Sequence, residues 1–137
     1  MIYYKEFYIE TSRRREVINI TDEIEKIVEE SNIKNGLVLI FLPHVTAGLF
    51  ANEDEKYIKE DYLELFERLV PEKENYKHNI IDNNADSHLL SSIFKQFYVF
   101  PVKDGKIVRG TWQELFLAEF DGPRHRKVVT VVVGNDK

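Results

Sequence analysis

The sequence predicts an α+β fold in which antiparallel strands are covered on one face by two or three helices, and three observations carry that expectation. Strand-like segments follow one another through tight turns, which favours antiparallel pairing. Apolar residues recur at helical spacing in two stretches and more briefly in a third. The 137 residues, 43% hydrophobic and 12% aromatic, suffice for the core of one domain spanning residues 1–137, with no repeat, low-complexity tract or linker.

Residues 2–10 alternate apolar and polar and are rich in Tyr, Phe and Ile, as a half-buried strand should be. A basic turn, Arg13-Arg14-Arg15, precedes a short strand over 16–20 and reads most simply as a solvated turn. Thr21 is expected to cap a helix, with Asp22 and Glu23 in its first turn, Ile24, Ile27 and Val28 on its apolar side, and an end between Ser31 and Gly36. The unbroken apolar run Leu37–Leu42 predicts a central strand buried on both faces, ended by Pro43. A strand over 47–51 and a helix from about Asp54 follow, the helix carrying the stripe Ile58, Tyr62, Leu65, Phe66, Leu69 and closing at Pro71. After a polar stretch, Leu89–Phe94 reads as a short helix. Strands over 97–102, 107–109, 113–120 and 127–133 complete the chain, with a hairpin at Lys103–Lys106 and a turn through Asp121-Gly122-Pro123.

Composition excludes several classes of function. Twenty-four acidic and nineteen basic residues are mixed along the chain for a net charge of -5, so no basic track for nucleic acid is expected. With no cysteine there are no disulfides, thiolate metal sites or cysteine nucleophile, and histidine and carboxylate are left as the good metal ligands. Charges interrupt the first ten residues where a signal peptide needs an apolar stretch, and no later run reaches membrane-spanning length, so a cytoplasmic protein without a membrane partner is expected. Scattered glycines form neither a phosphate loop nor a dinucleotide fingerprint.

Three histidines are the candidate metal ligands. His44 sits just past the apolar strand, while His78 and His88 flank the polar segment and meet if that segment folds back. Three neutral imidazoles suit a divalent ion, zinc foremost, and a fourth position open to water would make such a site catalytic in type. No HExxH or similar short-range motif sets the geometry, so ordinary surface or core histidines stand as the alternative. Glu53 and Asp82 are candidate proton carriers, and Asn52 and Asn84 candidate partners for an imidazole's second nitrogen. The same four residues also suit a helix cap and a turn. Gly110-Thr111-Trp112-Gln113 holds the only Trp beside two hydrogen-bonding side chains, against the plainer reading of a strand entry in which Trp112 packs. Arg124 offers a planar fork for a phosphate. His125, between Arg124 and Arg126, is left outside the site.

These pieces also form a pattern: His44-x-Thr46-Ala47-Gly48-Leu49, Asn52-Glu53, Tyr76-x-His78-Asn79, Asn84-Ala85-x-x-His88-Leu89, Pro101-Val102-x-x-Gly105, Gly110-Thr111-Trp112-Gln113 and Glu119 to Arg126. In this order and spacing, over residues 10 to 133, the sequence resembles the YjbQ-like family. The resemblance implies two packed antiparallel sheets with helices on one side, assembly as a homotrimer with a pocket near the subunit boundary, and a metal site at His44, His78 and His88. The candidate ligand contacts are Thr46, Asn52, Asn84, Thr111, Trp112, Gln113 and Arg124. Some family members are described as weak thiamine-phosphate synthases, so the activity implied is that of a metal-dependent, enzyme-like protein acting on a small phosphorylated metabolite. A non-catalytic metal- or metabolite-binding trimer is the alternative. Two departures from the family pattern stand near the histidines: Val45 replaces a second threonine, and Asp86-Ser87 is expected to add a carboxylate near the metal.

Overall fold

The computed structural model of the chain describes residues 1–137 and has eight strands and three α-helices. The strands are β1 (Ile2–Glu10), β2 (Glu16–Asn19), β3 (Asn35–Phe41), β4 (Ala47–Asn52), β5 (Phe97–Lys103), β6 (Lys106–Ile107), β7 (Glu114–Glu119) and β8 (His125–Asn135). The helices are α1 (Thr21–Ser31), α2 (Lys56–Leu69) and α3 (Ala85–Phe94), with a 3₁₀ turn at Lys77–Ile80. Every strand pair is antiparallel, in a five-stranded sheet ordered β1-β8-β3-β5-β6 and a three-stranded sheet ordered β2-β7-β4. No helix is long and apolar enough to cross a membrane.

Alternation along β7 explains the layering. Leu115 and Leu117 point into the space between the sheets, where they meet Val38 and Ile40 of β3, Phe100 of β5 and Val128 and Val132 of β8. Ala118, together with Phe120 just past the strand, points the other way, under Phe66 of α2 and Leu90 of α3. Thus α2 and α3 cover the outer face of the three-stranded sheet. Helix α1 sends Ile24, Ile27 and Val28 into the inter-sheet core and packs against β6, β7 and β8, so it touches both sheets. Gly48 lets β4 approach α3 closely, since a Cβ there would lie 3.0 Å from the Phe94 Cβ.

Several expectations need correction. Thr21 is the first residue of α1 rather than its cap, because its hydroxyl accepts the Leu115 amide and ties the helix to β7, while Asn19 Oδ1 accepts the Thr21 amide. The cap of α2 is Glu55, whose carboxylate accepts the Tyr57 and Ile58 amides. Helix α3 begins four residues earlier than its apolar spacing suggests, so Asp86 and Ser87 are buried helical residues. The carboxylate of Asp86 does not reach towards the histidines. It receives Arg14 Nη1 at 3.0 Å and Arg15 Nη2 at 2.8 Å, so the basic turn is docked on α3 rather than solvated. Strand β3 is buried on one face only: Val38 and Ile40 are in the core, whereas Leu37, Leu39 and Phe41 are exposed, because no helix layer covers the outer face of the five-stranded sheet. The expected hairpin is present, with Asp104 and Gly105 both at positive φ (52° and 78°) as a two-residue turn requires.

Candidate functional site

The sandwich brings its chemistry to one end. There β3 has just ended and the chain crosses through Pro43–Thr46 into β4, β7 runs out into Asp121, and β8 begins. A cleft of about 340 Å³ opens among these segments and the start of α3, lined by His44, Thr46, Asn84, His88, Asp121 and Arg124. Arg126 lines it as well, although only 3% exposed.

Its charged groups are fixed by long-range bonds. Alternation places Glu119 on the core face of β7 and Arg126 on the core face of β8, where each would be costly alone. They pair instead: Arg126 Nε donates to Glu119 Oε1 at 2.9 Å and Nη2 donates to Oε2. The same Nη2 donates to the carbonyl and hydroxyl oxygens of Thr46 at 3.0 and 2.9 Å. Thr11 Oγ1 donates to Glu119 at 2.7 Å and accepts the Arg124 amide, tying in β1. Arg124 grips its own turn, with Nε on the Asp121 carbonyl at 2.8 Å and Nη2 on Asp121 Oδ2 at 2.9 Å.

The imidazoles are held from behind. Asn84 Nδ2 donates to Asp121 Oδ2, which turns Asn84 Oδ1 to accept His78 Nε2–H at 2.9 Å. His78 Nδ1 makes no hydrogen bond within the chain. His44 Nε2 lies 2.9 Å from the Lys127 amide nitrogen and 3.1 Å from its carbonyl oxygen, so it accepts or donates according to tautomer and leaves Nδ1 without a partner. Burial, and then the charge of Arg126, hold the His44 pKa below the ordinary histidine value, and the ring is neutral near pH 7. The His78 and His88 ring centroids are 4.8 Å apart, and His88 shares the cleft with His44. A backbone or amide partner on one ring nitrogen is how metal-binding imidazoles are usually held. The donor chemistry thus fits a divalent ion, although no three histidine or carboxylate side chains converge into one coordination sphere.

The other candidate residues stand elsewhere within the chain. Glu53 and Asn52 close the far end of β4 beside Thr111, Trp112 and Gln113, in a second hollow roughly 20 Å from Thr46 at ~3.3 Å per strand residue. There Trp112 is 72% exposed and does not pack, Gln113 Oε1 accepts the Gly110 amide, and Asn52 Nδ2 donates to the Tyr62 hydroxyl. Asp82 is exposed and accepts the next residue's amide in its own turn. His125 is stacked on Tyr8 and paired with Glu10, away from the cleft. The structure therefore gathers His44, Thr46, Asn84, His88 and Arg124, with His78 behind His88. Sequence reasoning missed Asp121 and Arg126 as cleft residues and Glu119 as the buried partner of Arg126. A signal for two of them was present: Glu119 shares the inward phase of Leu115 and Leu117, and Arg126 that of Val128 and Val132, and an inward charge on a strand must be paired.

The family model described as UPF0047 protein YjbQ-like matches residues 5–135, nearly all of this fold and both hollows. The chain belongs to the YjbQ-like UPF0047 family. A UPF0047 protein of Archaeoglobus fulgidus is 45% identical over 124 residues, 90% of this chain and 96% of that one. The UPF0047 protein YugU of Bacillus subtilis is 36% identical over 132 residues, 95% and 98% of the two chains. Among solved structures, a YbjQ-like protein of unknown function from Sulfolobus solfataricus superposes with a TM-score of 0.97 at 44% identity, covering 98% of this chain and 99% of that one. The two-sheet α+β architecture is therefore the family's own.

Proposed function

We propose that this protein is a metal-dependent, enzyme-like member of its family that acts on a small phosphorylated metabolite in the cytoplasm. The observation that carries this reading is the cleft in which neutral His44 shares walls with His88, Arg124 and a buried, ion-paired Arg126. Arginines suit phosphoryl oxygens, and a preorganised cation stabilises charge on a departing group without rearranging. His44, His78 and His88 would hold a divalent ion, zinc foremost. When bound, such an ion supplies a Lewis acid for the phosphoryl oxygens.

The family resemblance makes thiamine-phosphate formation the reaction to assay. In it the nitrogen of a thiazole phosphate forms a C–N bond to the pyrimidine methylene as the C–O bond to pyrophosphate breaks. Within this reading the two arginines bind the leaving pyrophosphate. Glu53 and Asp82 lie outside the cleft in one chain, so Asp121 is the lining group placed to move a proton. Assembly as a homotrimer belongs to the same reading. Its support is the outer face of the five-stranded sheet, where Leu37, Leu39 and Phe41 lie beside Val99, Phe97 and Val133 and none is covered.

Metal analysis of protein purified without chelator tests the site: one zinc or similar ion per chain is expected, lost in His78→Ala with the oligomer intact. No ion in the parent protein removes the metal from the reading. The absence of three converging donors favours a second reading, a non-catalytic metabolite-binding trimer. A parent rate of thiamine-phosphate formation no higher than that of His44→Ala and His88→Ala selects it. Light scattering tests the assembly, since Leu39→Asp should yield monomers if the apolar sheet face joins the copies.

A further inference from the structure

Besides the imidazole nitrogens, three hydrogen-bonding positions on charged groups of the cleft are unused, and they differ in kind. Arg126 engages Nε and Nη2 with Glu119 and Thr46, and its Nη1 makes no hydrogen bond in the chain. Arg124 engages Nε and Nη2 with Asp121 and likewise leaves Nη1 free. Asp121 receives Asn84 and Arg124 on Oδ2, while Oδ1 accepts nothing. Asp121 is 11% exposed at its side chain, and its position in the cleft wall is fixed by both partners. The cleft therefore offers two cationic donors and one anionic acceptor. Its charges balance in pairs, Arg126 with Glu119 and Arg124 with Asp121. Each arginine is already paired with a carboxylate, so hydrogen-bond direction decides which anion it binds.

From this geometry we infer that the cleft selects a phosphoryl group that still carries a proton, seating two oxygens on the free Nη1 groups of Arg124 and Arg126 while the P–OH donates to Asp121 Oδ1. The inference rests on the phosphorylated-metabolite reading above and names the ionic form that reading requires. A phosphomonoester has its second pKa near 6, so roughly a tenth of it carries this proton at pH 7. Sulfate has the same shape but no proton in this range. Its oxygen would face the Asp121 carboxylate with no hydrogen between two anions, and a site built to accept a hydroxyl proton rejects an analogue that lacks one. Arg126 is the buried half of the clamp, held by Glu119 and Thr46 so that Nη1 is the donor left for the ligand, and Arg124 is the more exposed half, held by the Asp121 turn.

Calorimetric titration of the full-length protein with inorganic phosphate, phenyl phosphate and sulfate at fixed ionic strength and pH 6.5 tests this. Phosphate or phenyl phosphate should bind at least about tenfold more tightly than sulfate. The tighter of the two identifies free phosphate or an ester as the source of the group. Asp121→Asn should bring the phosphate-to-sulfate ratio to within about threefold, because the amide can donate to sulfate. Arg126→Lys keeps a cation beside Glu119 but loses Nη1, and should weaken all three anions together with the ratio retained. Equal binding of phosphate and sulfate by the parent, or an unchanged ratio in Asp121→Asn, overturns the selection and leaves the phosphate-site reading standing. Undiminished binding in Arg126→Lys removes Arg126 from the clamp. Binding of none of the three overturns both the selection and the phosphate-site reading.

Discussion

At the Thr46 end of β4 the hydrogen bonds join residues 113 apart (Arg124 to Thr11) and 80 apart (Arg126 to Thr46), whereas at the Asn52 end the turn is held by shorter spans, three residues from Gly110 to Gln113, four from Arg109 to Gln113 and fifteen from Gln113 to Tyr98. The first hollow exists only because the whole sandwich has closed. The second sets the end of β4 beside a turn whose own bonds are mostly short-range and which displays an exposed Trp. Side chains in a site tied together over such distances are preorganised, and altering their supports changes stability and binding together. A local turn can change its residues with little effect on the rest of the fold.

Glu119→Ala is the change that breaks this contrast most sharply. It leaves the Arg126 guanidinium buried without its carboxylate, a loss expected to cost about 3–5 kcal/mol. Urea denaturation should show a lower midpoint at an unchanged slope. A loss below about 1 kcal/mol would mean that Arg126 finds water or another partner, and that the histidine end is as locally built as the other. Asp86→Asn comes next, at about 2 kcal/mol for weakened charge-assisted hydrogen bonds from Arg14 and Arg15.

The same contrast decides how much of the molecule was legible in the sequence. Strands such as β1, β4 and β5, the hairpin at Asp104-Gly105 and the inward faces of α1 and β3 follow from local periodicity and turn chemistry, so the chain displays them openly. The convergence of His78 and His88 needed only that a ten-residue polar segment fold back. What escaped was set by distant partners. Arg14 and Arg15 look solvated until Asp86, about seventy positions away, is seen beneath them. Thr21 resembles a cap until the Leu115 amide takes its hydroxyl. Leu37–Leu42 looks doubly buried because its outer residues are apolar, and within one chain nothing covers them.

Acid sensitivity separates two supports of the histidine end. His44 has its pKa held down by burial and by Arg126, so the unfolded chain binds a proton there more readily than the folded one. Its contribution is complete above the ordinary histidine value, about 6.5, and is lost progressively as pH falls below it. Burial pushes the Asp86 carboxyl up, but hydrogen bonds and charges from Arg14 and Arg15 outweigh this and hold it below the usual carboxylate range. Its contribution is complete above that range and is lost only as pH falls through it. Thermal unfolding measured from pH 8 to pH 3 should therefore decline in two stages. His44→Gln should abolish the upper one and Asp86→Asn should shrink the lower, to which Asp54, held down by Asn19 and Lys59, also contributes. An upper stage that survives in His44→Gln assigns it to another histidine.

The smallest effect is expected at the other end. Trp112 is 72% exposed and buries little apolar surface within its own chain, so Trp112→Ala should change the unfolding free energy by less than about 0.5 kcal/mol. Its fluorescence should report a solvent-exposed indole in dilute protein. A loss above about 1 kcal/mol, or a blue-shifted emission that moves red when Leu39→Asp is introduced, would show that assembly covers this turn. The Asn52 end would then cease to be a local display. It would be a surface completed by a neighbouring copy, and the contrast between the two hollows would hold only for the isolated chain.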